Sequence, residues 1–141
     1  MKKIPFLIQS TALAAFLVSF SPTLRASDLE KEMKIIGKNT KALKVSVGDP
    51  AKKTEALAEI GLMIKSAEKA RTLTPKKADE IPAAERPQFI ADYQKQIDGL
   101  IAQFKQIETD LTSGTAEAAK ADFEKINGIK RAGHEKFTAK E

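Results

Sequence analysis

Ile90–Leu111, IADYQKQIDGLIAQFKQIETDL, decides the fold. Ile90, Tyr93, Ile97, Leu100, Phe104, Ile107 and Leu111 recur at alternating steps of three and four. On a helix those positions form one apolar stripe, and the polar residues between them face away from it. A strand would need alternation with period two, which no part of the chain shows. The stripe persists through three heptads, so this helix should pack against neighbours at shallow left-handed crossings of about 20°.

Downstream, Thr112-Ser113-Gly114-Thr115 punctuates the pattern. Gly114 suits a helix end, Thr115 an N-cap, and Glu117 a first turn. A fourth helix then runs to about Thr138, with Ala119, Phe123, Ile126, Ile129 and Phe137 on its apolar side. Upstream, Thr74 to Pro87 contains Pro75, Pro82 and Pro87, and no long helix survives that spacing. This is the one long connection, with a short turn around Ala83–Glu85. Before it, a second helix spans about Pro50 to Thr72, with Leu57, Ile60, Ile64, Ala67 and Arg71 in three-four rhythm and Leu73 just beyond. Gly48, Asp49 and Pro50 supply a stop, a cap and a first-turn proline. The first helix runs from Asp28 to about Val47 along Leu29, Met33, Ile36, Thr40, Leu43 and Val47. Four helices of similar length predict an all-α, antiparallel up-down-up-down four-helix bundle. The turns sit where a single-chain fold needs them, so a monomer is expected rather than a coiled-coil oligomer.

Residues 1–26 read as a cleaved signal peptide and 27–141 as the bundle domain. Lys2 and Lys3 precede an apolar run from Ile4 to Phe20, and Ala26 is a small residue suited to the cleavage point. Removal leaves 115 of the 141 residues, one small domain. Basic residues fall from 24 to 21 against 19 acidic ones, so the net charge drops from +5 to about +2. That balance argues against nucleic acid as a partner. Export to the periplasm is expected, with no membrane association after cleavage. There is no cysteine, which excludes disulfides and a Cys-x-x-Cys-His attachment site for haem. Any haem bound here is therefore b-type and non-covalent.

His134 is the only histidine. It lies about 20° around the fourth helix from Phe123 and about 60° from Phe137, which aims it at the edge of the core. Met33 lies on the buried stripe of the first helix. In an antiparallel bundle the two share one end, at depths of roughly 8 Å for Met33 and 6 Å for His134. Met63 is deeper, at roughly 15 Å. A thioether and an imidazole facing each other across a bundle can clamp a haem iron. Each also has a plain structural use. A histidine in a last helical turn serves the dipole, and a core methionine fills gaps. No Ser-His-acid arrangement, Gly-rich phosphate loop or Glu-x-x-His pair is present, and one histidine without cysteine makes a poor zinc site. No enzymatic activity is expected. A haem-free periplasmic bundle that binds an apolar ligand or a protein is the alternative. Lys34, Lys38 and Lys41 form a helical stripe that reads as a solvated face or as a cationic surface module.

Three segments carry a resemblance. They are Ser27-Asp28-Leu29-Glu30-Lys31-Glu32-Met33, Asp92-Tyr93-Gln94-Lys95-Gln96-Ile97-Asp98-Gly99-Leu100, and Lys130-Arg131-Ala132-Gly133-His134-Glu135-Lys136-Phe137. Together they resemble the cytochrome b562 family, soluble periplasmic haem proteins built as four-helix bundles. The resemblance covers nearly all of the mature chain and implies Met33 and His134 as the axial ligands of one haem iron. It implies electron transfer with redox partner proteins yet to be identified. Leu29, Ile36, Ile90, Tyr93 and Phe137 would wall the ring, and Lys130 or Arg131 would pair with its propionates. Ordinary core packing and a solvated helix end are the plain readings of those residues. The chain departs from the family at Ile90 and Arg86, where aromatics are usual, and at Gly133, where a tyrosine is common. The departures imply a looser pocket or a ring that sits differently, with Phe89 as the nearby substitute for the aromatic missing at Arg86.

Overall fold

The computed structural model describes residues 22–139, with side chains from residue 27 onward. Residues 1–21 and 140–141, and most of the expected leader with them, lie outside the described residues. The helices are α1 (Pro22–Ser46), α2 (Lys53–Arg71), α3 (Arg86–Ser113) and α4 (Ala116–Phe137). Short 3-10 turns occupy Pro50–Lys52 and Lys76–Glu80. No strand occurs among the described residues.

The caps form as the sequence suggests. Asp49 Oδ1 accepts the Ala51 N–H at 2.9 Å, and Thr115 Oγ1 accepts the Ala118 N–H at 3.1 Å. A Cβ at Gly114 would sit 3.0 Å from the Asp110 backbone, so any larger residue would push the close of α3 apart by a few tenths of an ångström. Three boundaries differ from expectation. Helical backbone begins at Pro22 rather than Asp28. The first three residues expected in the second helix wind as a 3-10 turn before α2. Pro87 lies inside the first turn of α3, where its missing N–H costs nothing. The turn at 83–85 is present. The unexpected 3-10 turn before it is held by Arg86, whose guanidinium donates to the carbonyls of Ala78 at 2.9 Å and Ile81 at 3.1 Å.

The buried face of α2 also differs. Ile60, Ile64 and Ala67 of the expected stripe are buried, and Ala56, Met63 and Ala70 join them in a four-three series with Ile60 and Ala67. Arg71 turns outward and pairs with Asp98. Alanine carries a weak hydropathy signal, but its size lets α2 approach both neighbours closely.

Cross-links fix the helix directions. Near one end of the bundle, Glu32 of α1 faces Lys69 of α2, and the Tyr93 hydroxyl of α3 donates to Ala70 O at 2.7 Å. Towards the other end, Ser46 donates to Glu59 at 2.5 Å and Lys53 to Thr112 O at 3.1 Å. Gln96 and Gln103 of α3 donate to Ile129 O and Asp122 O of α4, at 2.9 and 2.8 Å. Each successive pair is therefore antiparallel. Helix α1 packs along α2, α2 along α3, and α3 along α4, whereas α1 and α4 do not close on each other in the same way. The core between them centres on Phe104, with Leu43, Ile60, Met63, Ile107 and Ile126 fully enclosed.

Phe104→Ala should lower unfolding stability in urea by about 3–5 kcal/mol, because the cavity it leaves has walls on all sides. Val45→Ala, at a side chain 66% exposed, should change it by less than about 0.5 kcal/mol.

Candidate functional site

The gap between α1 and α4 is a cavity of about 240 Å³, open to solvent along one side. From α1 it is lined by Leu29, Met33, Ile36 and Gly37. From α4 come Ile129, Lys130, Gly133 and His134, with Phe137 and Thr138 at the end. Tyr93, Gln96, Ile97 and Leu100 of α3 form the floor, and Pro75 of the long connection closes one end. The lining is predominantly apolar.

Helix geometry explains this set. Leu29, Met33 and Ile36 share the inward flank of α1 because they are spaced four and three apart. Met33 is half-buried, while Leu29 and Ile36 reach the core. His134 lines the cavity from its solvent side and remains exposed. Its Nδ1 lies 3.3 Å from Thr138 Oγ1, one helical turn on. With the proton on Nδ1, this contact is an N–H donating to the hydroxyl, and Nε2 keeps a free lone pair.

The aromatic end is more built. The Phe137 ring meets Phe89 edge-on at 5.3 Å and Tyr93 at 5.6 Å. Burial pushes the Tyr93 phenol far above its usual range, so its hydroxyl stays a donor to Ala70 O. Lys136 clips the same end together by donating to Asp92 at 2.8 Å, and Lys77 donates to Lys136 O at 2.8 Å. The hydrogen bond from Lys136, then the one from Gln88, hold the Asp92 carboxyl below the usual carboxylate range.

Seven of the nine residues singled out in the sequence line this one cavity: Leu29, Met33, Ile36, Tyr93, Lys130, His134 and Phe137. Ile90 and Arg131 do not. Ile90 sits about 60° from Tyr93 on the α2 side of α3, and Phe89 takes the place beside Phe137. Arg131 is about 60° from His134 towards solvent. At Arg86, where the resemblance suggested an aromatic wall, the side chain instead braces the 3-10 turn. Gly133 leaves room beside Gln96, whose side chain would lie 3.6 Å from a Cβ there. Several lining residues had sequence signals that went unused. Ile97, Leu100 and Ile129 belong to the stripes, and Thr138 is four residues after His134. Gln96 and Pro75 had none.

The lining fits a flat apolar ring approached by two donors, a thioether on one wall and an imidazole with a free Nε2 on the other. Among the described residues no group of three or more His, Cys, Asp or Glu side chains is placed to hold a bare metal ion. No described helix is long and apolar enough to cross a membrane. A family model described as cytochrome b562 matches residues 28–138, which include all of these lining positions. A comparison with curated proteins found no match.

Phe137→Ala should remove both ring contacts and cost about 3 kcal/mol of stability in urea melts while leaving helical circular dichroism near native. The lowered Asp92 contributes stability above the ordinary carboxylate range, and that contribution disappears as pH falls through its depressed value. Lys136→Gln should therefore flatten the acid limb of a Tm-against-pH profile relative to the wild type.

Proposed function

The chain belongs to the cytochrome b562 family, which makes it a haem-binding electron-carrier cytochrome, and from that premise we propose that it carries one non-covalent b-type haem between Met33 and His134 in the periplasm. The observation that carries the ligand assignment is the placement of the Met33 thioether and the His134 imidazole on opposite walls of one apolar cavity. Met33 contributes a neutral sulfur donor and His134 its Nε2. With the proton on Nδ1, Thr138 Oγ1 accepts that N–H and Nε2 is left for the iron.

The haem, once bound, supplies a one-electron ferric–ferrous couple, and thioether ligation favours the ferrous form. The protein's part is to hold, orient and dry the site. Leu29, Ile36, Leu100 and Phe137 present hydrocarbon to the ring faces and keep water out. Lys130, half-buried at the mouth, offers an ammonium to a carboxylate at the edge of the group. Two neutral donors and a rigid bundle require little rearrangement between oxidation states, which suits outer-sphere transfer. The proposal includes removal of residues 1–26 on export, so that the mature α1 begins at Ser27. It also takes the mature protein as a monomer without enzymatic activity.

A haem-free bundle that binds a small apolar ligand is the second reading, and the same apolar cavity is what favours it. Visible spectra separate the two. Protein expressed with ample haem, or reconstituted with it, should show sharp low-spin α and β bands when reduced. His134→Ala should abolish those bands, and Met33→Leu should lower the midpoint potential. An unchanged spectrum in His134→Ala defeats the ligand assignment; no Soret absorbance in the wild type supports the haem-free reading.

A further inference from the structure

We propose that the α1/α4 face, where the cavity opens, is a docking surface for an acidic patch on a redox partner protein; this rests on the haem reading above. Charge is unevenly distributed over the helices. The mature chain is nearly balanced, with 21 basic and 19 acidic residues. Yet within about 80° of Met33 on α1 and of His134 on α4, the outward flanks carry Lys41, Lys44, Lys120, Lys130 and Arg131 against only Glu30 and Glu124. Lys120 is placed on this face towards its far end, about 21 Å along α4 from His134, because a Cβ at Gly48 would lie 3.3 Å from its Cδ. Lys34, Lys38, Lys41, Lys44, Lys120 and Arg131 are exposed.

The rest of the mature chain is nearly balanced, with 16 of the 21 basic residues against 17 of the 19 acidic ones. Among the described residues, ion pairs join Glu32 to Lys69, Glu68 to Lys105, Arg71 to Asp98, Asp92 to Lys136 and Asp122 to Lys125. Each lies on the α1/α2, α2/α3 or α3/α4 side or at its margin. None engages a cation of the α1/α4 rim. An excess of cations along the face that holds the opening raises the local potential and steers anionic surfaces towards it. The same opening gives the shortest path to Met33 and His134, so a partner held by the rim is also placed for electron transfer. A protein surface fits better than a lipid one. Val45 is the single large apolar side chain exposed on this flank, leaving little to insert into acyl chains.

Ferricyanide is a suitable anionic probe, since it takes one electron from the ferrous protein and leaves it ferric. K41E/K120E reverses one charge on each helix of the rim without touching a cavity-lining residue. K65E/K95E makes the same change on the exposed outer faces of α2 and α3. At low ionic strength the oxidation rate of reduced K41E/K120E holoprotein should fall about tenfold, against less than about twofold for K65E/K95E, and the gap should close at high salt. Poly-L-glutamate should slow oxidation of the wild type and leave K41E/K120E unaffected. Equal effects of the two variants overturn the proposal while leaving the haem reading intact. Tight binding to phosphatidylglycerol vesicles, with no inhibition by poly-L-glutamate, overturns it in favour of a membrane surface. A wild type that takes up no haem defeats the function above and this proposal with it.

Discussion

The constraint on which the rest of the structure depends is an unclosed pairing. Three of the four neighbouring helix pairs pack along their length, and the fourth, α1 with α4, does not. Antiparallel order brings the start of α1 and the end of α4 to the same level. The missing closure then leaves room between them for something other than side chains. Everything placed on those two flanks, the Met33 thioether, the His134 imidazole and the lysine rim, takes its meaning from that opening. Had α4 settled onto α1 as tightly as α3 settles onto α4, the same residues would be ordinary core and surface.

The other three pairings are built with care to make one opening tolerable. Small residues Ala56, Ala67 and Ala70 let α2 serve as a common spine for α1 and α3. Side-chain to backbone bonds from Tyr93, Gln96, Gln103 and Lys53 tie neighbouring helices at both ends. The aromatic trio of Phe89, Tyr93 and Phe137 anchors the end of α4 beside the opening. Rigidity at that end matters because a donor on the last turn of a helix is otherwise prone to fray.

Much of this was legible in the sequence, and the exceptions have physical causes. Long three-four stripes of large apolar residues announced α1, α3 and α4, and capping residues at 49 and 115 marked their joints. Along α2, Ile60, Ile64 and Ala67 are buried as their spacing suggests, whereas Ala56 and Ala70 carry too weak a hydropathy signal to announce the close packing they serve. The 3-10 turn at 76–80 escaped because its stability comes from Arg86, several residues away, rather than from local propensity. At the site, helix rotation identified most of the walls. Ile90 and Arg131 were assigned from their nearness in sequence and family position, and each is rotated off the cavity by about 60°. Pro75 and Gln96 line it through tertiary placement, which periodicity does not encode.

Lone adherence to α2 gives α1 a separate character. Its lateral support comes from one neighbour, as does that of α4, whereas α2 and α3 each have two. Local opening free energies follow such support, so the two outer helices, α1 and α4, are the elements most readily exchanged with solvent as units. A molecule that touches both α1 and α4 across the cavity would supply the missing fourth side and couple α1 to the rest. Occupancy would then appear less as a local change at the cavity than as a merging of two cooperative unfolding units into one.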